Sequence, residues 1–168
     1  IIVHIIFVAF KITNMLQRIQ TIYLLLVIVC MILSLFIPFC SFLNNEIEIT
    51  LGAYGLSKLP EELSSVSTRF PYYLGIFLVI GLSVYMISMY KNRKKQLFIG
   101  RINYLLILIT IVLIMLDIDH VREQLDSSEN IQHRIGAFLP VAALPFVFLA
   151  NRGIKKDEDL VKSLDRLR

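Results

Sequence analysis

Asp117-Ile118-Asp119-His120 is the nearest thing to a metal cluster in this 168-residue sequence, joining two carboxylates to an imidazole. Asp117 and His120 stand three apart, so on a helix they share a face, and His133 could approach from across a loop. Such a set would suit a hard or borderline metal ion, or would serve a membrane enzyme through Asp117, Asp119 and His120. No ligand spacing repeats, and the preferred reading is a polar outer helix end that caps and meets water. His4 lies near the chain start and carries no weight. Cys30 and Cys40 are the two cysteines. Ten residues of helix separate them by roughly 15 Å, whereas a disulfide needs Cα atoms within about 7 Å, so they read as small apolar filler. The sequence has no serine-nucleophile elbow, phosphate-binding glycine loop or zinc-protease motif. No catalytic, cofactor-binding or metal-ligating residue is therefore assigned, no cofactor is expected, and the chain is expected not to be an enzyme.

Two further features bear on chemistry. The basic run KNRKKQLFIGR at 91–101 could face RNA or anionic lipid, but it is too short for a nucleic-acid module. It reads as a topology determinant lying against phospholipid headgroups, with no nucleic-acid partner. The long apolar blocks contain no Asp, Glu, Lys, Arg or His before Asp117. Proton relays and ion-coupled transport usually need buried ionisable groups, so their absence argues against a pump. A passive pore lined by Ser34, Ser83, Ser88, Asn103 and Thr110 stays open as the alternative.

Those residues need elements to hold them, and composition says which kind. Hydrophobic residues make up 57% of the chain and charged residues 18%, with net charge +4 and no Trp. A disordered chain needs the opposite balance, and a soluble domain has less apolar mass. The excess sits in four blocks: 19–43, 70–90, 102–118 and 135–150. A spanning helix needs about 20 residues. The first block spans roughly 37 Å at ~1.5 Å per residue. It is too long for a signal-peptide core, no small-x-small site follows, and Phe39 stands where a lipoprotein box needs a small residue before Cys40. It is read as an uncleaved anchor. The second block carries Tyr72 and Tyr73 at one end and Tyr90 at the other, an aromatic belt. The fourth is short and holds Pro140 and Pro145, which membrane helices tolerate; a re-entrant hairpin is its rival reading. Residues 1–14 precede the first Met, Met15, and are expected to be an upstream extension, the alternatives being a short interfacial helix or a fragment of a longer chain.

Twelve of the 17 Lys and Arg lie at Arg18, in 91–101 and after residue 151, whereas the intervening loops carry Lys58, Arg69, Arg122 and Arg134. The positive-inside rule places the N-terminus, the 91–101 segment and the tail in the cytoplasm. Between blocks, Glu46-Ile47-Glu48-Ile49-Thr50-Leu51 alternates with period two, a strand-like signal with Gly52 and Gly55 as turn residues. The tail at 151–168 carries Ile154, Leu160, Val161, Leu164 and Leu167 at helical spacing, and Glu158 and Lys162 form an ordered i, i+4 pair. An amphipathic helix is expected there, with Leu160, Val161, Leu164 and Leu167 as the candidate partner-docking face. Gly136, Ala143 and Ala150 recur every seven residues, a stripe that lets helices approach closely in lipid. It could be the seam of the bundle, which is preferred, or of an oligomer. The expected fold is all-α: an integral membrane four-helix bundle with an amphipathic cytoplasmic C-terminal helix.

MLQRIQTIYLLL at 15–26, KNRKKQ at 91–96, Phe138-Leu139-Pro140 and FLANRGIKKDEDLVKSLDRLR at 148–168 closely resemble the pattern of the domain of unknown function 4293 family. That resemblance covers residues 15–168, with residues 1–14 as the departure from it. It implies a four-helix protein of the bacterial cytoplasmic membrane, of a kind known from Bacteroidota, and it brings no catalytic residues. The leading expectation for function is a non-enzymatic scaffold or accessory subunit. Its partners would be membrane lipid and a protein docked at the cytoplasmic tail, with oligomeric state undetermined. The alternative is a small passive transporter or channel subunit.

Overall fold

The computed structural model describes residues 2–44, 47–57, 66–90, 92–125 and 131–165, with side chains from Ile19 to Ser163 except Asn44 and Ile47. The elements in order are α1 (Ile2–Phe36), β1 (Cys40–Asn44), β2 (Ile47–Gly52), β3 (Gly55–Ser57), α2 (Tyr72–Ser88), α3 (Arg93–Gln124), β4 (Ile131–His133) and α4 (Ile135–Asp165). The molecule is mostly helical, but it is not all-α, because a four-stranded antiparallel sheet of order β3-β2-β1-β4 closes one end.

The first apolar block does not run as helix to residue 43. α1 stops at Phe36, where Ile37 N–H makes the last helical bond to Leu33 O at 3.0 Å. Pro38 follows, and a proline pushes the residue before it out of the helical region and clashes with the carbonyl four residues back. The chain then turns into β1, and hydrophobicity serves a sheet instead: Cys40 and Phe42 face inward, fully buried. Cys40 pairs in register with Leu51 of β2 on one side and with His133 of β4 on the other. The alternation in β2 buries Ile49 and Leu51 and leaves Glu48 and Thr50 half-buried. Ala53 and Tyr54 make the tight turn into β3, and Gly55 takes φ +112°, a region other residues rarely adopt. Glu46 lies outside the described residues.

Each helix buries a stripe at three- and four-residue spacing. α1 buries Leu24, Val27 and Met31; α2 buries Tyr72, Ile76, Val79, Ser83 and Met86. α4 buries Gly136, Pro140, Ala143, Val147, Ala150, Ile154 and Asp157. Alternating steps of three and four give the near-parallel packing of helix bundles. Consecutive helices are neighbours, and α4 closes the ring on α1. Gln20, midway along α1, meets Asp157 in the later half of α4, whereas Ile37 just past the end of α1 lies against Gly136 at the start of α4; Asp117 late in α3 meets Tyr72 at the start of α2, so these neighbours run antiparallel. Outward faces stay apolar, with Leu25, Val29, Phe77, Ile109, Val112 and Phe148 all about half exposed.

Three helices are long and apolar enough to cross a membrane: α1, α3 and α4. This is a membrane protein. α2, with 17 residues, is shorter. α4 is one 31-residue helix from Ile135 to Asp165, so the fourth block and the tail form a single element instead of two, and Pro140 and Pro145 lie inside it without reversing the chain. The basic 91–101 segment is likewise mostly helical. α3 starts at Arg93, with the Asn92 side chain accepting from Lys95 N–H at 3.4 Å.

Candidate functional site

α3 carries four buried polar residues exactly one heptad apart: Gln96, Asn103, Thr110 and Asp117. The other half of its buried stripe, Gly100, Ile107, Ile114 and Val121, is apolar or glycine. In lipid an unpaired polar group is costly and helix association has no hydrophobic driving force of its own, so each member of such a series needs a partner on the facing helix. α2 supplies one for Gln96, Asn103 and Asp117, whereas Thr110 bonds within α3. Gln96 Nε2 donates to Met86 O at 2.9 Å. Asn103 Nδ2 donates to Ser83 Oγ at 2.9 Å, and that hydroxyl donates to Val79 O at 2.8 Å. Thr110 bonds its own helix at Leu106 O, and its Oγ1 would sit 3.2 Å from a Cβ at Gly75, so the two backbones approach closely there. Asp117 accepts the Tyr72 hydroxyl and, at 3.1 Å to each carboxylate oxygen, the Arg69 N–H. The result is a polar ladder between α2 and α3.

A second polar node lies at the opposite end, between α1, α3 and α4. Gln20 Nε2 donates to Asp157 Oδ2 at 2.7 Å, and Arg93 Nη1 donates to Asp157 O at 3.0 Å. Gln20 and Asp157 are both buried. Gly153 lets the Gln20 side chain cross, since a Cβ there would lie 2.9 Å from Gln20 Cγ. Gly100 does the same for Asn151, whose Oδ1 would be 1.9 Å from a Cβ at residue 100. One turn beyond Asp157, Leu160 and Val161 stand about 40% exposed. The Leu164 side chain and Leu167 lie outside the described residues. Glu158 pairs with Lys162 at 2.8 Å, and that hydrogen bond holds its carboxyl below the usual range.

The residues singled out in the sequence are distributed unevenly. Asp117 does not meet water: it is fully buried, whereas Asp119 is exposed and His120 meets Gln124 at 2.9 Å. His133 is exposed on β4. Among the described residues, no three His, Cys, Asp or Glu side chains form a metal-binding group. Cys30 is half-buried on α1 and Cys40 is in the sheet, both as free thiols. Burial pushes the Cys40 thiol up to about 12. Of the hydroxyl and amide set, Ser34, Ser83, Asn103 and Thr110 are buried to 4% exposure or less, and Ser88 is exposed; water does not reach the buried four. Gly136, Ala143 and Ala150 are all buried inside the bundle, and a Cβ at Gly136 would lie 2.3 Å from the carbonyl oxygens of both Ile37 and Pro38.

The polar ladder itself was missed by residue-by-residue inspection. Its signal is nonetheless present: a polar residue every seventh position within an otherwise apolar span marks a face that must be paired.

A family model described as Domain of unknown function (DUF4293) matches residues 16–167. The chain belongs to this family. A comparison with curated proteins finds no match. The matched region contains both polar nodes and all of α4.

Proposed function

We propose that this protein is a non-enzymatic scaffold or accessory subunit of a bacterial cytoplasmic membrane, crossing it four times with both ends of the bundle's chain inside. α2 would complete the fourth crossing with its flanking residues: 17 residues rise roughly 25 Å against a hydrocarbon core of about 30 Å, with Tyr73 in its first turn and Tyr90 just beyond its end suited to the two interfaces. The distribution of Lys and Arg supports the orientation, with Arg93, Lys94, Lys95 and Arg101 on α3 and Arg152, Lys155 and Lys156 on α4 at the same end. Lys94 and Lys95 sit in the first turn of α3, where the helix dipole disfavours cations. Their retention there fits a topological role.

The observation that carries the docking reading is the continuity of α4. It passes from the membrane segment through the Gln20–Asp157 node into a helical turn presenting Leu160 and Val161. A partner bound at that turn would be held at fixed geometry relative to the bundle. Capture from native membranes with crosslinking tests this. Leu160→Glu with Val161→Glu leaves Gln20 and Asp157 in place and should abolish recovery of the partner; unchanged recovery would remove the docking reading.

A further inference from the structure

An open cleft of about 530 Å³ lies between α3 and α4 at the basic end of the bundle. From α3 it takes Leu97, Arg101, Tyr104 and Leu105, which follow one another at helical spacing along a single face. From α4 it takes Phe148, Arg152 and Lys155 in the same way. Both helices thus contribute an apolar residue on the bundle-centre side and a cation on the polar side. Leu105 stands four residues, about 6 Å of rise, deeper than Arg101; Phe148 stands four residues deeper than Arg152. Tyr104, half-buried between these levels, adds an amphipathic side chain to the lining. Arg101, Arg152 and Lys155 form no ion pair among the described residues. Glu158 is within the electrostatic reach of Arg101, and its own hydrogen bond goes to Lys162.

We infer that this cleft is a binding site for one anionic phospholipid of the inner leaflet. Its phosphate would be held by Arg101, Arg152 and Lys155, and one acyl chain would lie along Leu105 and Phe148. Charge complementarity and the stacking of cations over apolar walls select this occupant. A soluble anion has no use for the wall, and a neutral lipid has no use for three cations. Basic pockets between helices on the cytoplasmic side are suited to acidic headgroups. The inference needs the bundle and the orientation proposed above, but not the docking turn at Leu160.

The test uses the full chain, purified in detergent and exposed to mixed micelles of phosphatidylglycerol and phosphatidylcholine, with retained lipid counted by native mass spectrometry. The wild-type protein should retain one phosphatidylglycerol in preference to phosphatidylcholine. Arg101→Gln, Arg152→Gln and Lys155→Gln together should reduce that preference about tenfold or more. Lys94→Gln with Lys95→Gln removes neighbouring charge outside the cleft and should leave the preference unchanged. Leu105→Trp, which fills the apolar wall and spares every cation, should also weaken retention. If the triple variant fails to fold, Leu105→Trp and competition by excess inorganic phosphate still decide the matter. Equal loss in the Lys94/Lys95 variant, retention without headgroup preference, or full displacement by inorganic phosphate would overturn the inference. The docking reading is read out separately, since Leu160→Glu with Val161→Glu should not change lipid retention.

Discussion

Asp117 shows what one side chain can do at a membrane boundary. Its carboxylate gathers the Tyr72 hydroxyl and the Arg69 N–H, so it fastens the chain entering α2 to the end of α3. Removing a buried acceptor strands its donors. Asp117→Ala should cost about 2–4 kcal/mol, and Tyr72→Phe about 1–2 kcal/mol, with the double variant losing less than their sum; denaturant titration in micelles measures all three. Cys40 makes a different prediction at the same scale. With its thiol pushed up to about 12, the thiolate fraction at pH 8 is on the order of a thousandfold below that of a free cysteine near 8.5. Alkylation of Cys40 in the folded protein should be negligible at pH 8, should increase as pH rises toward 12, and should go to completion once the protein is unfolded in dodecyl sulfate. Mass analysis of the alkylated protein reads the difference, and fast labelling of the folded form would show that β1 is not packed as described.

Elements are held together by devices that hydropathy does not reveal. α2 is the shortest helix, and the ladder from Gln96 to Asp117 compensates by fixing its register against α3. Asn103→Ala should cost about 1 kcal/mol, because it leaves Ser83 without its donor. Asn103→Leu combined with Ser83→Ala should be close to neutral, since replacing both partners by apolar groups removes the unmet demand. α4 meets the α1–β1 connection without any side chain between them: a Cβ at Gly136 would collide with the backbone oxygens of Ile37 and Pro38. Those are backbone atoms and cannot swing aside. Gly136→Val should therefore destabilise by about 2–4 kcal/mol, visible as a lowered midpoint of unfolding, whereas Gly81→Ala, with nothing within 4 Å of its Cβ position, should not.

At the scale of the molecule, the basic residues of α3 and α4 and the four-stranded sheet lie at opposite ends of an apolar-faced bundle, and the proposed orientation rests on that polarity. In a chain carrying Cys30→Ala and Cys40→Ala, a Ser57→Cys variant should label with an impermeant thiol reagent from outside intact cells, and a Lys94→Cys variant only after permeabilisation; the reverse pattern would invert the orientation. Much of this axis was readable in residue order. Helices of spanning length follow from block length and composition, the β2 strand from its period of two, and the family from the terminal motifs; all are local or additive properties of the chain. Three things were not readable that way. Pro38 marks the end of α1 locally, but the return of Cys40 into a sheet depended on strands at 47–52 and 131–133 being available to pair with it. The burial of Asp117 depended on Tyr72 arriving from another helix. The cleft between α3 and α4 depended on which faces of those helices meet. Lipid and protein interior are equally apolar, so hydropathy cannot tell a lipid-facing Leu from one packed against a neighbouring helix. That choice was made by close approach at glycines and by hydrogen-bond pairing across space, which only the tertiary structure supplies.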